Sequence, residues 1–480
     1  MSKIKFNKEK ITKFIYSADR FISGALLILL PIIIFSFSKA NIQTDSVDYY
    51  SILQRLTDSS KPPIVRNLHF VEQRSPGYSI ISMIPYYFTS YAIEPFVKTE
   101  KIVDGGETEL PRPPQLPEPN DENGKPKLGG LDGRPRGETS EKMGIPSTLL
   151  FARDIFFKNF YLERSGGVFE WKIIFALLLT SYAFLFLGIL FSIKTLALER
   201  IKVIGVSLPL FVIFTSLIFI HNIINTPAYA TLTAFGLSAI FCFFFVKSFE
   251  KENFANQFLA GLFLGFLVLT RLETVIVGGI LFLFLIFYKK WRFLKNIILG
   301  GLPSLAILLF YNFSQFGTPF HFGILKGDIN QLGFDFNYIV ASLVNPKSGI
   351  VFWSFLLCLG VYGLFFGRKK HLKALSIASL IFIGFMLVRV PVMYKCMGGE
   401  PVNLGGIIVP CFQTMNEALM LIRSDVNRYI TVLAPFAILG VQNLVIVFGK
   451  YFKINFDNDR QNVGRFNRRF NKIRSKKLIH

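Results

Sequence analysis

The chain has 480 residues, 51% of them hydrophobic and 54 of them Phe, with a formal charge of +22. That composition excludes a soluble domain built around one core and indicates an all-α polytopic membrane protein. The positive charge is not a nucleic-acid footprint, because it follows the membrane topology read along the chain.

Apolar runs of spanning length predict ten transmembrane helices, near 21–38, 171–193, 203–221, 228–246, 254–270, 272–288, 294–311, 350–367, 374–391 and 429–449. Ahead of the first, residues 1–20 form a basic cytoplasmic N-terminus with Lys3, Lys5, Lys8, Lys10 and Lys13, like the start of a signal peptide. The exit from that helix, FSFSKAN, offers no small-x-small cleavage site, so the helix is expected to be retained. The domain of interest then runs over 21–449, and 450–480 is a basic cytoplasmic tail suited to anionic headgroups.

Residues 39–170 form one large extracytoplasmic first loop in three parts. The first, 39–78, carries Asp45, Asp48 and the run Ser75-Pro76-Gly77-Tyr78. The second, 77–97, is apolar but broken by Pro85 and Pro95 and contains Glu94, which suits an interfacial or re-entrant helix better than a span. The third, 98–147, holds eight Pro, eight Gly, ten acidic and eight basic residues. It has too little apolar surface to offset its ordering entropy, so it is expected to be a disordered or extended insertion, either a plain linker or a grip for an acceptor. Two more outside loops follow, 320–349 and 392–427, the latter containing GGEPVNLGG. There is no internal repeat, Gly-rich phosphate loop, zinc spacing or serine triad.

The charge map supports this alternation. Segments 1–20, 194–202, 247–257, 289–295, 368–373 and 450–480 together carry 29 Lys+Arg against 7 Asp+Glu, while the rest of the chain has 24 of each. The whole excess therefore lies on one side, as the positive-inside rule requires, with both termini cytoplasmic.

Several residues have the chemistry for a site at the outer face. Asp45 suits a general base; it equally suits a solvated acid or the N-cap of a helix starting near Ser46. Asp48, three residues on, shares its helical face and either tunes Asp45 or meets water. A divalent ion on this pair is an alternative, but no metal or other cofactor is expected. Tyr49 and Tyr50 are interfacial aromatics by position. Arg271 and Glu273, in LTRLET, are ionisable groups at membrane depth. They either serve a substrate phosphate or pair with each other. Arg428 enters the last span from outside and suits a phosphate or a headgroup anchor, and Arg389 is a further phosphate candidate. His221 and His321 are isolated interfacial polar residues. Cys242 and Cys358 fall in spans, while Cys396 and Cys411 share an outside loop where a disulfide is open.

Six stretches, in order, resemble polyprenyl-phosphate-sugar-dependent glycosyltransferases of the GT-C superfamily, in the family 39-like branch of protein mannosyltransferases and aminoarabinose transferases. They are TDSVDYYSILQRL (44–56), RSPGYSIISMIPYYF (74–88), GLFLGFLVLTRLETV (261–275), YNFSQFGTPFHFG (311–323), LVNPKSGIVFW (343–353) and NRYITVLAPF (427–436). The resemblance implies a GT-C-like fold and an inverting transfer of a monosaccharide from a polyprenyl-phosphate donor. The acceptor would be a lipid, glycan or protein on the outer face of the plasma or inner membrane. It places the catalytic acid on Asp45, supported by Asp48. Arg271, Arg428 and Arg389 are then candidates for the donor phosphate, with Tyr49, Pro76, Gly77, Tyr78 and Glu273 lining the substrate site. The chain departs from the pattern at Asn225-Thr226-Pro227, where many relatives have an acid before the Pro, and in 392–427, which lacks the expected Trp and Gly pattern. A lipid or oligosaccharide flippase or transporter, and a diphosphate-lipid glycan polymerase or ligase, are the rival readings.

Overall fold

The computed structural model describes residues 8–37, 45–58, 76–93, 171–198, 207–320, 333–346, 349–367, 369–389, 402–404, 407–409 and 428–451. The stretch 98–147, the tail beyond Tyr451, and Cys396 and Cys411 lie outside the described residues.

The outer-loop helices are short. The long α1 (Lys8–Phe37) is followed by α2 (Asp45–Thr57) and α3 (Gly77–Phe88). α3 buries Gly77, Tyr78, Ser79 and Ser82 and exposes Ile84, Tyr87 and Phe88, an amphipathic pattern rather than that of a span. Pro85 has no N–H to donate, and the helix widens into a π turn at Thr89–Ile93, where the Thr89 hydroxyl donates to the Pro85 carbonyl at 2.7 Å.

The bundle follows as α4 (Trp171–Leu198), α5 (Ser207–Thr215), α6 (Leu217–Ile224), α7 (Ala230–Glu250), α8 (Phe254–Thr270), α9 (Val275–Phe287) and α10 (Trp291–Phe316). Gly317 closes α10 at φ 72°, a left-handed cap that explains the Phe-Gly of the 311–323 motif. Then come α11 (Phe336–Val344), α12 (Ile350–Trp353), α13 (Phe355–Gly363), α14 (Lys370–Val388) and α15 (Ala434–Tyr451). Among the described residues, five helices are long and apolar enough to cross a membrane, or six if α5 and α6, bent by 80° at Ser216, are one broken span. Four further apolar helices, Phe21–Ile34, Phe254–Thr270, Leu272–Phe287 and Phe355–Phe366, are shorter than that requires, so among the described residues five or six of the ten expected spans meet it. The architecture is that of a helical multi-pass membrane protein, and large side chains such as Phe21, Phe287 and Phe310 face outward as lipid would require.

One correction concerns the loop 392–427. Val402–Leu404 and Ile407–Val409 form an antiparallel two-stranded ladder, pairing Val402 with Val409 and Leu404 with Ile407. β-branched residues on either side of Gly405-Gly406 carried that signal.

Close helix crossings set the frame. A Cβ on Gly440 of α15 would lie 1.7 Å from the Gly360 carbonyl oxygen of α13, so only hydrogen fits there. α8 and α10 touch in the same way through Gly261 and Gly300, reinforced by the Asn296 amide donating to Gln257 Oε1 at 2.6 Å. Asp19 of α1 accepts from the Ser207 backbone N–H at 3.1 Å and from its hydroxyl, capping the start of α5.

Candidate active site

α2 opens at Asp45, so this acid lies in the first turn, where the helix dipole favours negative charge. Side chains are described from Asp48 onward. Asp48 is only 6% exposed and is engaged with other groups, so it does not simply meet water. The next residue, Tyr49, meets the ring of Tyr78 edge-on at 5.0 Å, and its carbonyl accepts from the Ser79 hydroxyl at 2.8 Å. These contacts lock the acid-bearing helix to the Pro-Gly-Tyr helix.

Tyr78 joins α3 to the bundle. Its hydroxyl donates to the Leu177 carbonyl at 2.7 Å and lies 2.9 Å from the Ser181 hydroxyl, which in turn reaches the Tyr229 carbonyl at 3.4 Å. Burial pushes the Tyr78 phenol far above the usual tyrosine range, against a smaller opposing effect of the Ser181 hydrogen bond, so it stays a neutral donor. Burial raises Tyr50 likewise, with Tyr86 adding to it. Gly77 contributes by its lack of a side chain. A Cβ there would fall 2.5 Å from the Leu269 backbone and 2.6 Å from the Thr270 nitrogen. The glycine lets α3 lie directly on the last turn of α8, one residue before Arg271. Pro76 precedes it, buried, at the helix start.

The three arginines singled out by sequence come from three distant places and converge on one ring. Arg271, Arg389 and Arg428 hold their guanidinium carbons 4.8, 5.3 and 5.2 Å from the ring centroid of Tyr429. Arg428 also lies 5.4 Å from the ring of Tyr229. Each such contact is favourable by about 0.5–2 kcal/mol. Two unit charges ~8 Å apart at an effective dielectric of ~20 repel by about 2 kcal/mol, so the cluster as a whole calls for anions.

The pairing within the cluster corrects one expectation. Arg271 and Glu273 do not pair with each other: Arg271 has an extended backbone and Glu273 sits in the 3-10 turn Leu272–Thr274 that follows, so the two side chains diverge. Arg271, 4% exposed, donates to the Thr231 hydroxyl at 3.0 Å. No carboxylate pairs with it among the described residues. Glu273 instead accepts from Arg389 at 3.3 Å, with the side chains 16% (Arg389) and 10% (Glu273) exposed. A buried guanidinium without an acid partner is costly in a membrane protein unless a ligand compensates it.

Tyr429, Thr231, Tyr229 and Ser181 belong to the site and escaped sequence reasoning. Tyr429 had a signal, standing beside Arg428; Thr231 and Ser181 had none, because their roles arise only from helix packing. His221 stays apart from this cluster, bonded to Asn225 at 3.2 Å and edge-on to Trp353; His321 lies outside the described residues. No group of three potential metal ligands occurs among the described residues. The fold and site thus define a multi-pass membrane protein with a buried cationic cluster at one end. No family model, curated protein or solved structure matches the chain.

Proposed function

We propose that this protein is an inverting, GT-C-like membrane glycosyltransferase with ten spans. It would move a monosaccharide from a polyprenyl-phosphate donor to a lipid, glycan or protein acceptor at the outer face of the plasma or inner membrane, with both termini in the cytoplasm. The observation that carries this reading is the ring of three guanidiniums around Tyr429, one of them buried with no carboxylate partner among the described residues. It is joined to the acid-bearing helix through Tyr49, Tyr78, Ser181 and Tyr229.

The chemistry follows from charge. Asp45, supported by Asp48, takes the proton from the acceptor hydroxyl or amine as that atom attacks the anomeric carbon. The bond to phosphate oxygen breaks, and the departing polyprenyl phosphate gains negative charge. Arg271, Arg428 and Arg389 stabilise that gain, which a preorganised cationic site does without reorganising. No metal is needed in this scheme.

The test is sugar transfer from a polyprenyl-phosphate donor by the purified full chain. Asp45→Asn should cost roughly 10²–10⁴-fold in rate, the usual contribution of a general base, with the protein folded. Asp48→Asn should cost less. If the order is reversed, the base is Asp48; if neither change matters, the reading fails.

A flippase or transporter is the second reading, favoured by the 80° break between α5 and α6, beside the interruption at Ser354, whose hydroxyl lies 3.4 Å from that of Ser216. It predicts movement of lipid-linked substrate across vesicles with no sugar transferred.

A further inference from the structure

We infer that Glu273 is a built-in stand-in for the donor phosphate: it holds Arg389 while the site is empty and releases it to the incoming oxyanion. The inference rests on the phosphate-site reading above and adds a competing anion to it.

The geometry around Glu273 carries the argument. Three guanidiniums face one ring, yet they are held differently. Arg271 is fixed by Thr231, and its turn is tied down by Thr274, whose hydroxyl and amide both donate to the Arg271 carbonyl, at 2.7 and 3.0 Å. Arg389 sits at the last turn of α14, where the backbone has left helical geometry. Its bond to Glu273, through a single nitrogen at 3.3 Å, is long and monodentate, whereas strong charge-assisted pairs are bidentate at about 2.7–2.9 Å. Both side chains retain some solvent access. The sugar-bearing donor is a phosphodiester whose two non-bridging oxygens match a guanidinium fork, so it outcompetes one long, monodentate carboxylate contact.

The same short turn therefore supplies both partners of the exchange: Arg271 for the ligand and, two residues later, the anion that occupies Arg389 without it. Donor affinity is then a difference between two anions, and Glu273 weakens it. The same competition lowers the affinity for the departing polyprenyl phosphate, the more highly charged monoester, and so speeds its release relative to a site without Glu273.

The experiment is binding of farnesyl phosphate to the purified full chain in nanodiscs of neutral lipid, compared across variants. Glu273→Gln should tighten binding about tenfold, Glu273→Asp should remain near wild type, and Arg389→Gln should weaken binding about tenfold. On the Arg389→Gln background, Glu273→Gln should have no effect, a coupling that a merely structural Glu273 would not produce. Where Arg389→Gln fails to fold, Arg389→Lys should give an intermediate affinity. In steady-state transfer, Glu273→Gln should lower both KM for the donor and kcat.

Unchanged or weaker binding by Glu273→Gln overturns the inference while leaving the phosphate site standing, provided Arg271→Ala loses binding. If the wild type binds no farnesyl phosphate, the phosphate reading falls with it. Inorganic phosphate and nanodiscs containing phosphatidylglycerol separate the sources. Tightening specific to farnesyl phosphate, the analogue of the leaving group, assigns the site to a prenyl phosphate, and equal tightening for all three overturns that assignment.

Discussion

The two ends of the bundle handle positive charge in opposite ways. At one end Arg271 and Arg428 are buried against aromatic rings and Arg389 rests on Glu273. At the other, Lys290 meets Glu252 at 2.5 Å and Lys369 meets Glu250 at 3.6 Å, both lysines well exposed, while Lys194 and Lys247 lie over Phe191 and Phe243. The clustered cations are arginines, rigid and permanently charged forks, whereas the paired lysines Lys290 and Lys369, hydrated point charges, stay at the rim. The basic residues thus include exposed lysines at one end and a cluster of three arginines around one tyrosine ring at the other.

The broadest break of this contrast is all-or-none. With the four native cysteines replaced by serine, a cysteine at Asn120 should react with a membrane-impermeant thiol reagent in intact cells and one at Lys370 should not; the reverse pattern would put the lysine end outside. Next in size, Arg271→Ala should lower sugar transfer by roughly 10²–10³-fold, the usual cost of losing one oxyanion-stabilising group, while Arg271→Lys keeps part of the rate. Normal transfer by the Ala variant would erase the distinction between the two ends. Smaller is the effect of the frame on which the arginines sit. Gly440→Ala forces a methyl against Gly360 and should destabilise by about 1–3 kcal/mol in thermal unfolding. Gly279→Ala and Gly384→Ala, where nothing lies within 4 Å, should be neutral or stabilising.

The smallest effect belongs to the rim. Hydrogen bonding and charge from Lys290 hold the Glu252 carboxyl below the usual carboxylate range. Its contribution is therefore present above the ordinary carboxylate pKa and is lost as pH falls through the lowered value. Exposed pairs are worth about 0.2–1 kcal/mol, so Glu252→Gln should leave transfer unchanged and flatten only a shallow acid limb of melting temperature against pH. A drop larger than that would make the rim part of the frame.

Legibility differed between the fold and the site for a physical reason. The apolar segments read from the sequence are helical because burial in lipid is a local, compositional demand, visible in any window of sufficient length. The three arginines were legible as expensive charges at helix ends. Their meeting at Tyr429 was not, because it depends on the packing of helices far apart in the chain. Glu273 was read with its near neighbour Arg271, since sequence shows proximity but not the extended backbone at Arg271 that turns the two apart. The break at Ser216 carries neither Pro nor Gly and had no signal at all.

Asp19 and Ser207 are 188 residues apart along the chain. A ribosome adding roughly 5–20 residues per second needs about 10–40 s to cover that distance. Throughout that interval the earliest helix is made but its carboxylate has no α5 to cap. The order of synthesis is therefore not the order of assembly: the Asp19 contact of α1 forms only after Ser207 of α5 emerges. A nascent chain stalled before Ser207 carries α1 without that contact, its Asp19 carboxylate uncapped by α5.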